Sequence, residues 1–247
     1  MIGLCKQLHR PIFCNGGPME YLPNGYTLNL AKGCFPLSTD SVVLAHFLNL
    51  PKNARVLDLG SGCGTLGLLL CSKDANCRIT GVELDANAHQ EALENIRRNR
   101  LTSRMESICA DLRSVSDRFS AGSFSCCVSN PPYFSEGAAS RSLPNARQEL
   151  SCTPEDLFRC GSSLLKFGGD FFLVHKPERL AELIATAAKY NLEAKRLCLV
   201  RHTEGAPVNL ILLQLRKGAK PGLVWEEIIL HNADGSPTPI YQDIYHL

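Results

Sequence analysis

The chain predicts an α/β fold with a mostly parallel, seven-stranded sheet and helices on both faces, and three observations carry that prediction. From residue 55 onward, short apolar or β-branched runs alternate with longer stretches of helical period. The first run empties into a cluster of glycines, and acidic residues stand at the ends of three successive runs. Length and composition agree. A chain of 247 residues, 45% hydrophobic and 20% charged, excludes disorder and can bury roughly 70% of its unfolded surface in one core without metal or disulfide staples. The expected organisation is a single domain over 1–247, with 1–37 as an N-terminal hairpin or extension.

Each element has a local reason. Strands are predicted at 55–59 (RVLDL), 79–84 (ITGVEL), 105–109 (MESIC), 124–129 (FSCCVS), 170–175 (DFFLVH), 193–201 and 208–216 (VNLILLQLR), runs short enough and apolar enough for buried strands. Helices are predicted at 39–49, 65–73, 86–100, 154–166 and 178–190. Thr153 suits an N-cap, Pro154 and Pro177 suit first helical positions, and Gly168-Gly169 suits a helix exit. Ahead of the first strand, the alternating stretch Tyr26 to Leu30 within Gly/Pro-rich residues 15–36 predicts a small hairpin. Residues 134–153 are polar and aperiodic, which predicts a long functional loop directly after a strand. The tail, 217–247, holds Trp225 and a Gly-Ser-Pro-Thr-Pro run and predicts one last strand or hairpin with an irregular end.

The twelve cysteines contain no CxxC and several sit in apolar runs, so they are expected to be reduced, mostly buried thiols. No segment reads as a signal peptide or a membrane span, and a cytoplasmic protein without a membrane partner is expected. The seven histidines show no metal spacing, and no metal is expected. A net charge of +2 permits a nucleic-acid partner without requiring one.

The segment Val56-Leu57-Asp58-Leu59-Gly60-Ser61-Gly62-Cys63-Gly64 runs from a strand through glycines into a helix. Glycine there allows a sharp turn and close approach of a ligand to the backbone, while the helix start presents free N–H groups. Gly62 to Gly67 also reads GxGxxG, and Glu83 follows twenty-one residues after Gly62, so a dinucleotide-binding dehydrogenase stands beside other nucleotide-type cradles. Glu83, at the end of the second strand, suits hydrogen bonding to two ribose hydroxyls in either case. Asp58, two residues before Gly60, would repel a pyrophosphate but attract the cationic amino-acid part of S-adenosylmethionine. Asp111, past the third strand, is placed to accept from an adenine amino group.

Asn130-Pro131-Pro132-Tyr133-Phe134 follows the fourth strand. Two prolines fix a short extended segment and leave carbonyl oxygens as acceptors. An amino group conjugated to a base or amide is a poor nucleophile because its lone pair is delocalised. A neutral bracket of the Asn130 side-chain oxygen and the Pro131 carbonyl would take both N–H hydrogens and aim the lone pair at an incoming methyl group, while Tyr133 and Phe134 stack on the ring.

In this order the motifs resemble the amino-group methyltransferases that use S-adenosylmethionine, and most closely the bacterial family that methylates N6 of adenine 37 in the anticodon loop of a valine tRNA. Phe35 to Ala45, Asp58 to Gly64, Gly81 to Glu83, Asn130 to Phe134, Arg147-Gln148-Glu149 and His175 to Leu180 carry the likeness. It implies a Rossmann-like methyltransferase fold, S-adenosylmethionine as cofactor and tRNA as partner; no obligate protein partner is inferred from the sequence. It implies cofactor contacts at Thr39, Asp58, Gly60, Gly62, Glu83 and Asp111. Asn130, Pro131 and Tyr133 take the target amine, with Tyr133 and Phe134 stacking. Arg141 and Arg147, in the loop beside the pocket, are the expected contacts to the RNA backbone, ahead of Arg97, Arg98, Arg100 and Arg104 at a helix end and Arg216, Lys217 and Lys220. The same chemistry on a protein glutamine or a DNA adenine, and a non-catalytic cofactor-binding scaffold, remain as alternatives.

Overall fold

The computed structural model describes residues 12–14, 17–30, 37–131 and 152–245. Two sheets form. The smaller has three antiparallel strands, β1 (Ile12–Cys14), β2 (Gly17–Tyr21) and β3 (Thr27–Asn29), so the predicted hairpin gains a strand.

The central sheet is built from β4 (Arg55–Leu59), β5 (Arg78–Glu83), β6 (Met105–Cys109), β7 (Phe124–Ser129), β8 (Leu165–His175), β9 (Leu192–Thr203), β10 (Val208–Lys217) and β11 (Val224–His231). Their order is β11-β9-β10-β8-β7-β4-β5-β6. Only β10 runs against the rest, pairing antiparallel with β8 and β9. A seven-stranded sheet is expected, and among the described residues it has eight strands. The eighth is β11, parallel to β9, whose outer residues Val224 and Trp225 are exposed because it closes the sheet edge.

Among the described residues, seven helices pack around the sheet: α1 (Thr39–Phe47), α2 (Thr65–Cys71), α3 (Ala86–Arg98), α4 (Leu112–Val115), α5 (Pro154–Leu164), α6 (Leu180–Lys189) and α7 (Pro239–Tyr245). Two apolar clusters, one on each face, bury Val56, Leu68, Ile79 and Phe172 on one side and Leu57, Phe158, Phe171 and Leu213 on the other. The alternation along β4 and β8 that divides these residues is the period-2 signature of a sheet covered twice.

Several boundaries follow the predicted signals. Thr153 and Asp156 form a capping box ahead of Pro154 in α5, and Pro177 opens a short 3-10 turn before α6. Gly168-Gly169 do not end a helix. α5 stops at Leu164 as Leu165 turns extended, and the glycines lie inside β8, where the register against β7 jumps from Phe124↔Leu165 to Cys126↔Asp170. Gly168 has φ +74° and an added Cβ on Gly169 would lie 2.9 Å from the Lys166 carbonyl oxygen, so both serve that bulge. The irregular end expected after β11 contains α7. Thr238 accepts from the Tyr241 amide and Pro239 stands at the helix start, so the Thr-Pro pair is a helix signal.

Among the described residues, eight cysteines are free thiols and six of them are buried. Cys63 departs from the expectation of reduced thiols throughout, because it is disulfide-bonded. No described helix is long and apolar enough to cross a membrane.

Candidate active site

All strands of the parallel part end on one rim, and β4 stands between β5 and β7, where the chain reverses its direction of travel across the sheet. Such a switch point opens a crevice at the strand carboxyl ends. The glycine turn fills its floor. Gly60, Gly62 and Gly64 have φ of +75°, +54° and +84°, values that a side chain disfavours. Gly60 and Ser61 both donate their amides to the Val82 carbonyl, at 2.9 and 3.0 Å, which ties the turn to β5.

Glu83 completes the turn. Its Oε2 accepts from the Gly62 amide and its Oε1 from the Asp85 amide, each at 2.8 Å. A carboxylate has about four lone-pair sites, so each oxygen retains acceptor capacity. Asp85 has a separate role as N-cap of α3, accepting from the Ala88 amide.

Asp58 is 1% exposed, and its Oδ2 atom is buried without a hydrogen-bond partner among the described residues. Burial, and secondarily the nearby Glu83 carboxylate, push its pKa up to about 7, with the Gly67 amide acting in the opposite sense. Buried polar atoms are almost always satisfied in native proteins, so an unmet carboxylate oxygen beside a glycine turn fits a cationic ligand group.

Asn130 lies one strand away. The β4–β7 register pairs Asp58 with Val128, so the two parallel strands leave the sheet at one rim, with Gly60 and Asn130 each the first residue beyond its strand. Ser129 Oγ fastens the two strand ends by donating to the Leu59 carbonyl at 2.7 Å. The Asn130 Nδ2 donates to Ser41 Oγ at 2.9 Å, and Pro131 is buried. Thr39 opens α1, and its Oγ1 meets the Tyr245 hydroxyl at 3.4 Å.

Asp111 lies past β6 on the same rim as the N-cap of α4. Its carboxylate accepts from the Arg113 amide and is gripped by the Arg113 guanidinium, which holds its pKa below the ordinary value. It is thus engaged locally, unlike Asp58. Tyr133, Phe134, Arg141 and Arg147 lie outside the described residues.

The basic clusters weighed for RNA lie elsewhere. α3 descends from the rim, so Arg97 and Arg98 sit at the opposite end of the sheet and pair with Glu94. Arg104 spends its guanidinium on the carbonyls of Cys71, Asp74 and Ala75, Arg216 pairs with Asp170, and Lys217 caps the carbonyls of Ser162 and Leu165. Among the described residues no group of three or more His, Cys, Asp or Glu could hold a metal ion.

Two supporting residues escape sequence reasoning. Asn95, fully buried on α3, bonds to the amide and carbonyl of Asn29 and to the Cys63 carbonyl, so one side chain joins the N-terminal sheet, α3 and the glycine turn. A polar residue on the otherwise apolar face of Ala88, Ala92 and Ile96 is the signal that could have found it. Gly81 faces Ser61, whose Oγ would lie 2.7 Å from an added Cβ.

A doubly covered, mostly parallel sheet with a glycine turn at its switch point is the frame of a nucleotide-type cofactor site, and the known proteins it matches make it that of an S-adenosylmethionine-dependent methyltransferase. The model of the methyltransferase small domain matches residues 36–189. A tRNA1(Val) (adenine(37)-N6)-methyltransferase of Aeromonas hydrophila is 32% identical over 85% of this chain and 86% of its own length, and one of Pectobacterium carotovorum is 36% identical over 74% and 75%. Among solved structures, a predicted O-methyltransferase of Agrobacterium tumefaciens superposes with a TM-score of 0.71 at 21% identity, covering 84% of this chain and 96% of that one, which shows the shared fold. The chain belongs to the methyltransferase small domain family and, within it, to the family of the tRNA1(Val) (adenine(37)-N6)-methyltransferases.

Proposed function

We propose that this chain methylates N6 of adenine 37 in the anticodon loop of a valine tRNA. The observation that carries the reading is the Asn130 side chain, fixed by Ser41 at the strand end beside the glycine turn. The names of the family relatives support the target. When bound, S-adenosylmethionine supplies a methyl group activated by a sulfonium leaving group.

The protein's own residues bind and orient. Asp58 holds the cofactor's ammonium group, Gly60 and Gly62 admit it to the backbone, and Glu83 takes the ribose hydroxyls on the lone pairs its two amide bonds leave over. Thr39 contacts the cofactor from α1, and Asp111 accepts from the adenine amine of the cofactor, exchanging part of its Arg113 pairing for that bond.

Asn130 Oδ1 and the Pro131 carbonyl accept the two hydrogens of the target amine, and Tyr133 and Phe134 stack on its ring. A neutral bracket suffices because the nitrogen becomes acidic only as the new bond forms. The hydrogen bonds then strengthen with the developing charge, which is where they lower the barrier. An anticodon-loop base is already partly unpaired, so turning it into the pocket costs less than opening a duplex. Arg141 and Arg147 are assigned to the phosphates around it.

The test is incubation of the purified chain with labelled S-adenosylmethionine and total tRNA from a strain lacking the protein, followed by mass spectrometry of nucleosides and fragments. N6-methyladenosine at position 37 of valine tRNA is the expected product. Label that enters DNA or a protein extract supplied in parallel, and not tRNA, would overturn the assignment in favour of the same chemistry on another amine, and binding without transfer would point to a scaffold.

A further inference from the structure

We infer that Ser41 is a positioning residue for methyl transfer, acting through Asn130 by fixing which end of its amide faces the target. The inference rests on the role assigned to Asn130 above. A primary amide is nearly two-fold symmetric in shape but opposite in hydrogen-bonding sense at its two ends. Only one orientation serves. With Oδ1 toward the target, the side chain accepts an N–H of the amine; turned by half a revolution, it presents its own N–H groups to another donor and repels the substrate.

The partner that the amide nitrogen meets comes from 89 residues away. Ser41 is buried in the first turn of α1, 6% exposed, with its Oγ 2.9 Å from Asn130 Nδ2. A hydroxyl can accept or donate; here it accepts from Nδ2, and a second hydroxyl stands near enough to take its own hydrogen. Ser38, the N-cap of α1, places its Oγ 3.4 Å from Ser41 Oγ and also accepts the Ser41 amide. With the Ser41 hydroxyl hydrogen directed to Ser38, its lone pairs face Asn130 and accept from Nδ2. The bond from Nδ2 to Ser41 points the amide nitrogen at α1 and so turns Oδ1 away from it. The same helix start carries Thr39, so one short segment addresses both the cofactor and the residue that receives the target.

A double-mutant cycle tests this in the full chain, read by single-turnover methyl transfer at saturating cofactor and tRNA, with calorimetry of S-adenosylmethionine and thermal melting alongside. Ser41→Ala should lower the rate by roughly 3- to 10-fold, the loss of one neutral orienting hydrogen bond, while cofactor affinity stays within about twofold. In an Asn130→Ala background the same substitution should change the rate by less than about twofold, because the group it orients is gone. Ser41→Thr, which keeps the hydroxyl, should recover most of the rate. An equal loss in both backgrounds, or no loss in either, overturns the role of Ser41 and leaves that of Asn130 standing. A parental rate in Asn130→Ala alone overturns the assignment on which the inference rests.

Discussion

Asp58→Asn should make the cofactor-free protein more stable and the cofactor-bound complex weaker. The Asp58 carboxyl lies at 1% exposure with its pKa raised from 3.8 to about 7, chiefly by burial. Because the folded pKa is the higher one, the folded protein keeps a proton that the unfolded chain has lost between those two values. Stability therefore falls as pH rises through that window, and the full cost is present above pH 7. At about 1.36 kcal/mol per pH unit, the interval from 3.8 to about 7 corresponds to a ceiling of about 4 kcal/mol. An amide in the same place carries no charge but needs partners for its two N–H groups, and leaving them unmet takes back about 1–3 kcal/mol. The net gain at pH 8 is then at most about 1–3 kcal/mol, a rise in Tm of roughly 2–12 °C for a chain of this size. Cofactor affinity should move the other way, falling about tenfold or more as the ammonium group loses its counter-charge. In the parent chain, binding should also weaken as pH drops below 7 and Asp58 takes up its proton, and this dependence should vanish in Asp58→Asn. Melting without cofactor and calorimetry with it, at pH 6 and pH 8, measure all three effects. A variant that melts lower and binds S-adenosylmethionine as tightly as the parent would refute the reasoning.

The remaining predictions concern what holds the site. Glu83→Ala removes the acceptor of the Gly62 and Asp85 amides as well as the proposed ribose contact, and should raise the Kd for S-adenosylmethionine by roughly 10- to 100-fold, measured by calorimetry. Gly81→Ala forces a Cβ against Ser61 and should cost about 1–3 kcal/mol in denaturant unfolding; Ser61→Gly in the same chain, which removes the colliding atoms, should restore most of it. Asn95→Ala strands backbone groups of Asn29 and Cys63 and should destabilise the chain by about 2–4 kcal/mol, with hydrogen exchange at Asn29 rising more than at the core of β4.

What was legible in the sequence was what short-range chemistry decides. The glycine turn, Glu83 at a strand end, the Thr153-Pro154 helix start and the strand that ends just before Asn130 each declare themselves within a few residues. Other features depend on partners far along the chain. Ser41 acquires its role only because β7 ends beside α1, and Asn95 only because the N-terminal sheet folds over α3. β11 reads as an isolated strand until the sheet edge offered by β9 is known. Gly168-Gly169 carry one chemistry, freedom from a side chain, that serves a helix exit and a strand bulge equally, and the register of β8 against β7 decides between them. Thr238-Pro239 was a local signal of a helix start, masked by the Gly and Pro residues around it.

The neutral bracket at the end of β7 is tested most directly by the single-turnover rate of Asn130→Ala with its cofactor affinity measured on the same preparation. Loss of one preorganised hydrogen-bonding group at the reacting nitrogen predicts a rate lower by roughly 100-fold or more, with the Kd for S-adenosylmethionine nearly unchanged. A variant that methylates tRNA at the parental rate, or that fails because the cofactor no longer binds, would contradict it.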